Sequence, residues 1–154
     1  MRILVAEDEL VTVELYAAVL EERGHKVVVT YDGQQCLSSF KNSSVPFDVV
    51  ILDYKLPLID GLQAAKQILE IEPEQRIIFT SAYVTDTLGD AIRDLKRVVE
   101  LIQKPFLPET LVNQVEDSSA AQKLRELNAD VKDDEGDVDR LLQQLRAIQR
   151  PKTI

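Results

Sequence analysis

Short apolar runs alternate with amphipathic stretches over residues 1–117. Ile3-Leu4-Val5-Ala6 is an apolar run cut off by three acids, Glu7, Asp8 and Glu9. Leu10, Val13, Ala17 and Leu20 then recur at helical spacing, and Gly24 is placed to end that helix as a C-cap. Lys26 to Thr30 reads as a second strand, because the β-branched Val27-Val28-Val29 fits a pleated surface. Asp32-Gly33 punctuates the chain before a short helix over 34–40 and a loop over 42–46. Val49-Val50-Ile51-Leu52 runs without alternation into Asp53, the pattern of a strand covered on both faces. Pro57 and Asp60-Gly61 mark a loop. Leu62, Ala65, Ile68 and Leu69 predict a helix over 62–71, closed by Pro73. Ile77-Ile78-Phe79 leads into Thr80 and Ser81 as a fourth strand, followed by a helix over 86–96. Val98-Val99 and Leu101-Ile102 predict a fifth strand ended by Lys104-Pro105, and Pro108 suits the first turn of a fifth helix.

Five strands alternating with five helices imply an α/β fold, in which right-handed crossovers build a parallel sheet with helices on both faces. Such sheets bind ligands at the carboxyl ends of their strands. Residues 118–154 differ. Ala120, Leu124, Leu127 and Val131 continue a helical stripe, Asp133-Asp134-Glu135-Gly136-Asp137 interrupts it, and Val138, Leu141, Leu142, Leu145 and Ile148 form a second stripe. The tail reads as an extension of the last helix, an acidic turn and one more amphipathic helix.

Composition narrows the function classes. Of 154 residues, 45% are hydrophobic and 29% charged, which suits a folded domain rather than a disordered chain. The net charge of −9 disfavours bulk electrostatic binding to DNA or RNA. Cys36 is the only cysteine, so an intrachain disulfide is excluded, and its helical position reads as packing. The apolar start is too short for a signal peptide, and a membrane span needs about 20 apolar residues. A cytoplasmic location without membrane attachment is the expectation. His25, the only histidine, reads as an exposed loop residue, and Tyr16 and Tyr31 as packing or surface positions.

The strand ends collect chemistry. The first delivers Glu7 and Asp8, the third Asp53, the fourth Ser81 and the fifth Lys104. An acid at a strand end is commonplace alone, since loops begin there; the joint arrival of these five at one sheet edge is not. Three carboxylates in one crevice repel one another unless a cation neutralises them. A hard divalent ion with oxygen ligands, Mg²⁺ or Mn²⁺, fits that set. Lys104 is a point charge suited to a phosphate oxygen, and Ser81 can donate a hydrogen bond to another. Phosphoryl transfer to Asp53 as nucleophile follows.

Taken together, these residues resemble the receiver domain of two-component response regulators. The matching pieces are Ile3-Leu4-Val5-Ala6-Glu7-Asp8-Glu9, Asp48 to Pro57 with Asp60-Gly61, Thr80-Ser81-Ala82 and Lys104-Pro105-Phe106, in order and over residues 1–117. The resemblance implies a flavodoxin-like, three-layer fold with strand order 2-1-3-4-5. It implies that Glu7 and Asp8 bind Mg²⁺, that Asp53 is phosphorylated and also ligates the metal, and that the Lys55 backbone carbonyl is a further ligand. Ser81 resembles the switch hydroxyl and Lys104 the phosphate-contacting lysine, whose bond to Pro105 is usually cis. The donor would be a histidine kinase or phosphotransfer protein.

The chain departs from the family at two places. Leu101 stands where Tyr or Phe is usual three residues before the lysine, so coupling to the face of the fourth helix, fifth strand and fifth helix does not carry over there. Arg97-Val98-Val99-Glu100 replaces a usual Gly-Ala pair. Lys55 and Tyr83 occupy the variable rim positions, where a bulky Tyr83 would shield an acyl phosphate and slow its hydrolysis.

Residues 118–154 are too few for an ordinary winged-helix output domain, so a downstream protein contact through that face or through the tail is expected. Homodimerisation through the second stripe is the alternative to folding back. Arg140, Arg146, Arg150 and Lys152 read as a solvated helix face rather than a nucleic-acid contact, and the acids around Gly136 lack calcium-loop spacing. The rival classes are a metal-dependent phosphatase using Asp53, a phosphate sink or relay intermediate without output, and a small transcription regulator acting through the last helix.

Overall fold

Each apolar run becomes a strand of one parallel sheet: β1 (Arg2–Ala6), β2 (Lys26–Thr30), β3 (Val49–Asp53), β4 (Ile77–Ser81) and β5 (Glu100–Gln103). Their order is 2-1-3-4-5. The helices are α1 (Leu10–Glu22), α2 (Gly33–Asn42), α3 (Gly61–Ile71), α4 (Val84–Leu95), α5 (Pro108–Glu116) and α6 (Ser118–Ala129). The computed structural model describes residues 1–129, without the side chains of residues 84–88 and 92. The acidic turn at 133–137, the second stripe and the basic residues of the tail lie outside the described residues.

Strand side chains alternate between two cores. Leu4, Leu52, Phe79 and Leu101 face one side of the sheet, where Leu37, Ala65, Ile68 and Ala91 from α2, α3 and α4 cover them. Val5, Ile51, Ile78 and Ile102 face the other, against Val13 and Leu20 of α1 and Leu111 and Val115 of α5. Burial on both faces is why β3 and β4 are buried along their whole length. Helix ends follow local chemistry. Asp32 and Asp60 cap α2 and α3 by accepting from Gln35 N (2.7 Å) and Gln63 N (2.8 Å). Gly24, at φ 88°, supplies the left-handed residue that ends α1.

Several predicted details change. Leu10 is 57% exposed, while Tyr16 takes the buried place beside Val13 and Leu20. His25 is not exposed: its ring is 10% accessible and its Nε2 lies 3.1 Å from Glu116 Oε1. The fourth helix starts at Val84 and the fifth strand at Glu100, two residues later than predicted for the strand. Glu100 belongs in the sheet because Arg76 neutralises it, through Nε and NH2 contacts of 2.8 Å each. Arg76 also donates to the carbonyls of Gln114 (2.7 Å) and Val115 (2.8 Å), so a partly buried guanidinium ties β4 and β5 to the end of α5. The last helix is not continuous. Asp117 breaks it and recaps the chain, its Oδ1 accepting from Ser119 N (3.0 Å) and Ala120 N (3.2 Å).

The restarted α6 folds back on the domain. Leu124 and Leu127 pack against the first core. Asn128 makes two bonds to one residue just ahead of β5: its Oδ1 accepts from Val98 N (2.6 Å) and its Nδ2 donates to Val98 O (3.1 Å). A cavity of about 390 Å³ remains between α6 and the starts of β4 and β5, lined by Leu69, Phe79, Arg97 and Leu124 among others. It lies at the opposite end of the strands from Asp53.

Candidate functional site

The site forms where four parallel strands, β1, β3, β4 and β5, stop together. Register sets Asp53 level with Thr80 on β4, and Ser81 level with Gln103 on β5. Glu7 follows β1, is 1% exposed, and keeps the sheet going by donating its amide to Thr30 O (3.1 Å). Its Oε1 accepts from Glu9 N at 3.1 Å. Asp53 closes β3 at 8% exposure, and its Oδ1 accepts from Lys55 N at 3.3 Å. Gly61 presses the start of α3 against this turn; a Cβ there would meet Asp53 O at 2.2 Å. Glycine is therefore required for α3 to approach Asp53 so closely.

Lys104 arrives from β5 and bridges two of the carboxylates, with Nζ 2.8 Å from Glu7 Oε2 and 3.1 Å from Asp53 Oδ2. Its own amide donates to Ser81 O (2.8 Å), and its bond to Pro105 is cis. Ser81, 4% exposed, accepts at Oγ from Tyr83 N (3.0 Å). Glu7, Asp8 and Asp53 each bring a carboxylate oxygen within 4.8 Å of the other two. Only Asp8 of the three is exposed. Three hard anionic oxygens of this kind match the donor set of Mg²⁺.

Burial pushes the Glu7 carboxyl up to about 7, and the neighbouring charge of Asp53 adds to this, while the bonds from Lys104 and Glu9 N oppose it. Burial works against the Lys104 ammonium, but Glu7 and Asp53 more than offset it and hold its pKa above the ordinary value. Lys104 stays charged, an ammonium wedged between acids.

All five strand-end residues predicted from the sequence thus meet in one crevice. The Lys55 side chain is not in it: its Nζ sits 4.4 Å over the Tyr83 ring at the rim. Two neighbours were not predicted. Tyr16 of α1 stacks on Phe106 (centroids 5.5 Å), and burial, then Glu7, Asp53 and Glu9, raise its phenol well above the ordinary range. Tyr54 turns away from the crevice and donates to Asp90 Oδ2 on α4 (3.1 Å). Neither contact leaves a sequence signal, because each joins elements far apart in the chain.

Residues 3–116 match the response regulator receiver domain family. The response regulator receiver protein CpdR of Brucella abortus is 30% identical over 118 residues, covering 75% of this chain and 93% of its own. Hybrid signal transduction histidine kinase I of Dictyostelium discoideum is 31% identical over 118 residues, covering 71% of this chain; the match spans only 7% of that kinase. The crystal structure of a response regulator receiver domain protein from Clostridium thermocellum superposes with a TM-score of 0.69 at 25% identity, covering 80% of this chain and 98% of its own. The fold and crevice define a receiver of two-component signal transduction. The chain belongs to the response regulator receiver domain family. Among the described residues, no helix is long and apolar enough to cross a membrane.

Proposed function

We propose that the chain accepts a phosphoryl group on Asp53 from a phosphohistidine of a kinase or phosphotransfer protein. The observation that carries this reading is the three-carboxylate cluster bridged by Lys104 in a chain of this family. A carboxylate oxygen of Asp53 forms the new bond to phosphorus as the phosphorus–nitrogen bond of the donor breaks, and the electron pair leaves with the imidazole. Glu7, Asp8, Asp53 and the Lys55 carbonyl would hold Mg²⁺, or Mn²⁺, which when bound offsets charge on the transferring phosphoryl oxygens. Lys104 exchanges its contact with Asp53 for a phosphoryl oxygen, and Ser81 supplies a hydroxyl to another.

The donor surface fits the same reading. Leu10 and Val11 in the first turn of α1, Leu58 after β3 and Leu107 after β5 are 57–77% exposed around the crevice mouth. Such a rim suits an amphipathic helix that carries the donor histidine. Residues 1–117 form the phosphoacceptor unit, and 118–154 an extension whose described part docks on it.

Acetyl phosphate with MgCl₂ tests the proposal by intact mass. The expected result is one adduct of about 80 Da, absent in Asp53→Asn and in EDTA. No adduct on the parent chain, or an unchanged adduct in Asp53→Asn, would overturn it. Steady turnover of a generic phosphomonoester would favour the phosphatase class instead.

A further inference from the structure

Tyr54 follows Asp53 directly, at the point where the chain leaves the sheet. Its amide donates to Thr80 O and its carbonyl accepts from Gly61 N, both at 3.0 Å, so its backbone is fixed to β4 and to the start of α3. Its ring meets Phe79 nearly edge-on, with centroids 6.2 Å apart and planes at 73°. Its hydroxyl ends on Asp90 Oδ2 of α4 at 3.1 Å. One residue adjoining the acceptor aspartate therefore touches β4, α3, the core and α4.

We propose that Tyr54 is a positioning residue that links the state of Asp53 to helix α4 through its hydrogen bond to Asp90. The link is mechanical. A phosphoryl group on Asp53 must occupy space at the turn that begins with Tyr54, and the Lys55 N–H bond to Asp53 Oδ1 lies in the same turn. The ring is held against Phe79 and cannot absorb a shift of that turn freely. The phenol is the part of Tyr54 that reaches α4, so a displaced turn either drags Asp90 or breaks the bond. The proposal rests on the phosphoacceptor reading, and by reciprocity a change at α4 alters the affinity of Asp53 for its ligand.

The test uses the full chain, beryllofluoride with Mg²⁺ as the phosphoryl mimic, and hydrogen exchange read by mass spectrometry. Parent, Tyr54→Phe, Asp90→Ala and Asp90→Asn are compared. Protection of the turn at 53–58 reports binding; exchange across α4 reports coupling. The mimic should protect the turn in all four and change α4 exchange in the parent. Tyr54→Phe and Asp90→Ala should reduce the α4 response about three- to tenfold, the range that loss of one such hydrogen bond supports. Asp90→Asn keeps an acceptor and should retain it, which a merely structural role for the aspartate charge would not predict. If Tyr54→Phe does not fold, the Ala and Asn pair at position 90 carries the same contrast. A full α4 response in Tyr54→Phe or Asp90→Ala, or binding to the parent without any α4 response, overturns the proposal. Failure of the parent to bind the mimic overturns the phosphoacceptor reading itself.

Discussion

Lys104 Nζ stands 2.8 Å from Glu7 Oε2 and so occupies, with a fixed positive charge, part of the space a metal ion would neutralise. A bound divalent ion would therefore compete with the ammonium for the same carboxylates. Lys104→Ala should lose about 2–4 kcal/mol in EDTA, because it leaves buried acids facing each other. Mg²⁺ should restore more stability to this variant than to the parent. Urea unfolding with and without MgCl₂ measures both. An equal Mg²⁺ increment in the two proteins would show that the ammonium and the ion do not share ligands. Asp8→Asn should shrink the increment, which for the parent near a hundredfold excess over Kd is about 5–10 °C in Tm.

The rim pair offers a kinetic prediction. Lys55 lies 4.4 Å over the Tyr83 ring, and Tyr83 is 58% exposed. At the rim of the crevice, this pair would shield an acyl phosphate on Asp53 from water. Tyr83→Ala should shorten the phosphoryl lifetime about two- to fivefold, the scale of an exposed cation–π contact. Loss of the adduct over time, followed by mass, gives the rate, and an unchanged lifetime would show that Tyr83 does not shield the phosphoryl group.

Acid sensitivity should appear at the far end of α1. The Arg23 guanidinium, then His25, hold the Glu116 carboxyl down at about 2, against an ordinary 4.5. Because the folded pKa is depressed, the stabilisation is complete above pH 4.5 and disappears as pH falls through about 2. The contact is at the surface and is screened by salt. Glu116→Gln should melt below the parent at pH 7 and converge with it near pH 2. Concentrated NaCl should narrow the neutral-pH gap. A gap that stays constant from pH 7 to pH 2 contradicts the assignment.

Asn128 predicts how α6 is held. Asn128→Ala removes both bonds to Val98 and leaves a partly buried N–H and C=O without that partner. Docking of α6 should weaken by about 1–3 kcal/mol. Faster exchange at the Val98 amide and earlier proteolysis within α6 would report this while the melting of the sheet stays nearly unchanged. Equal protection in both proteins would mean that Leu124 and Leu127 hold the helix alone.

The sheet and the crevice were legible in the sequence for one physical reason. A parallel strand covered on both faces leaves an uninterrupted apolar run, and the polar residue that stops it is, by topology, at the ligand edge. Asp53 after Val49-Val50-Ile51-Leu52 shows both facts at once. Glu100 was illegible by the same logic. It looks like an interruption of an apolar run, yet it begins β5, because its partner Arg76 lies 24 positions away. The break at Asp117 had a local signal, an acid followed by two serines, but the apolar stripe running across it masked the cap. The sequence carries no sign of the His25 contact, because Glu116 lies 91 positions away. Cys36 packs as its helical position implies: it is fully buried, and burial pushes its thiol up to about 12.

The bonds from Asn128 to Val98 also bear on how this protein behaves as material in a tube. β5 is an outermost strand of the sheet, and outermost strands offer unpaired backbone to neighbouring molecules. The side-chain amide of Asn128 acts as a stopper on the backbone that leads into that strand. A fragment trimmed at residue 116, where the family match ends, would discard the stopper together with Leu124 and Leu127. It should keep the carboxylate crevice and yet be the less soluble molecule, so the length at which the chain is cut decides its handling before it decides its chemistry.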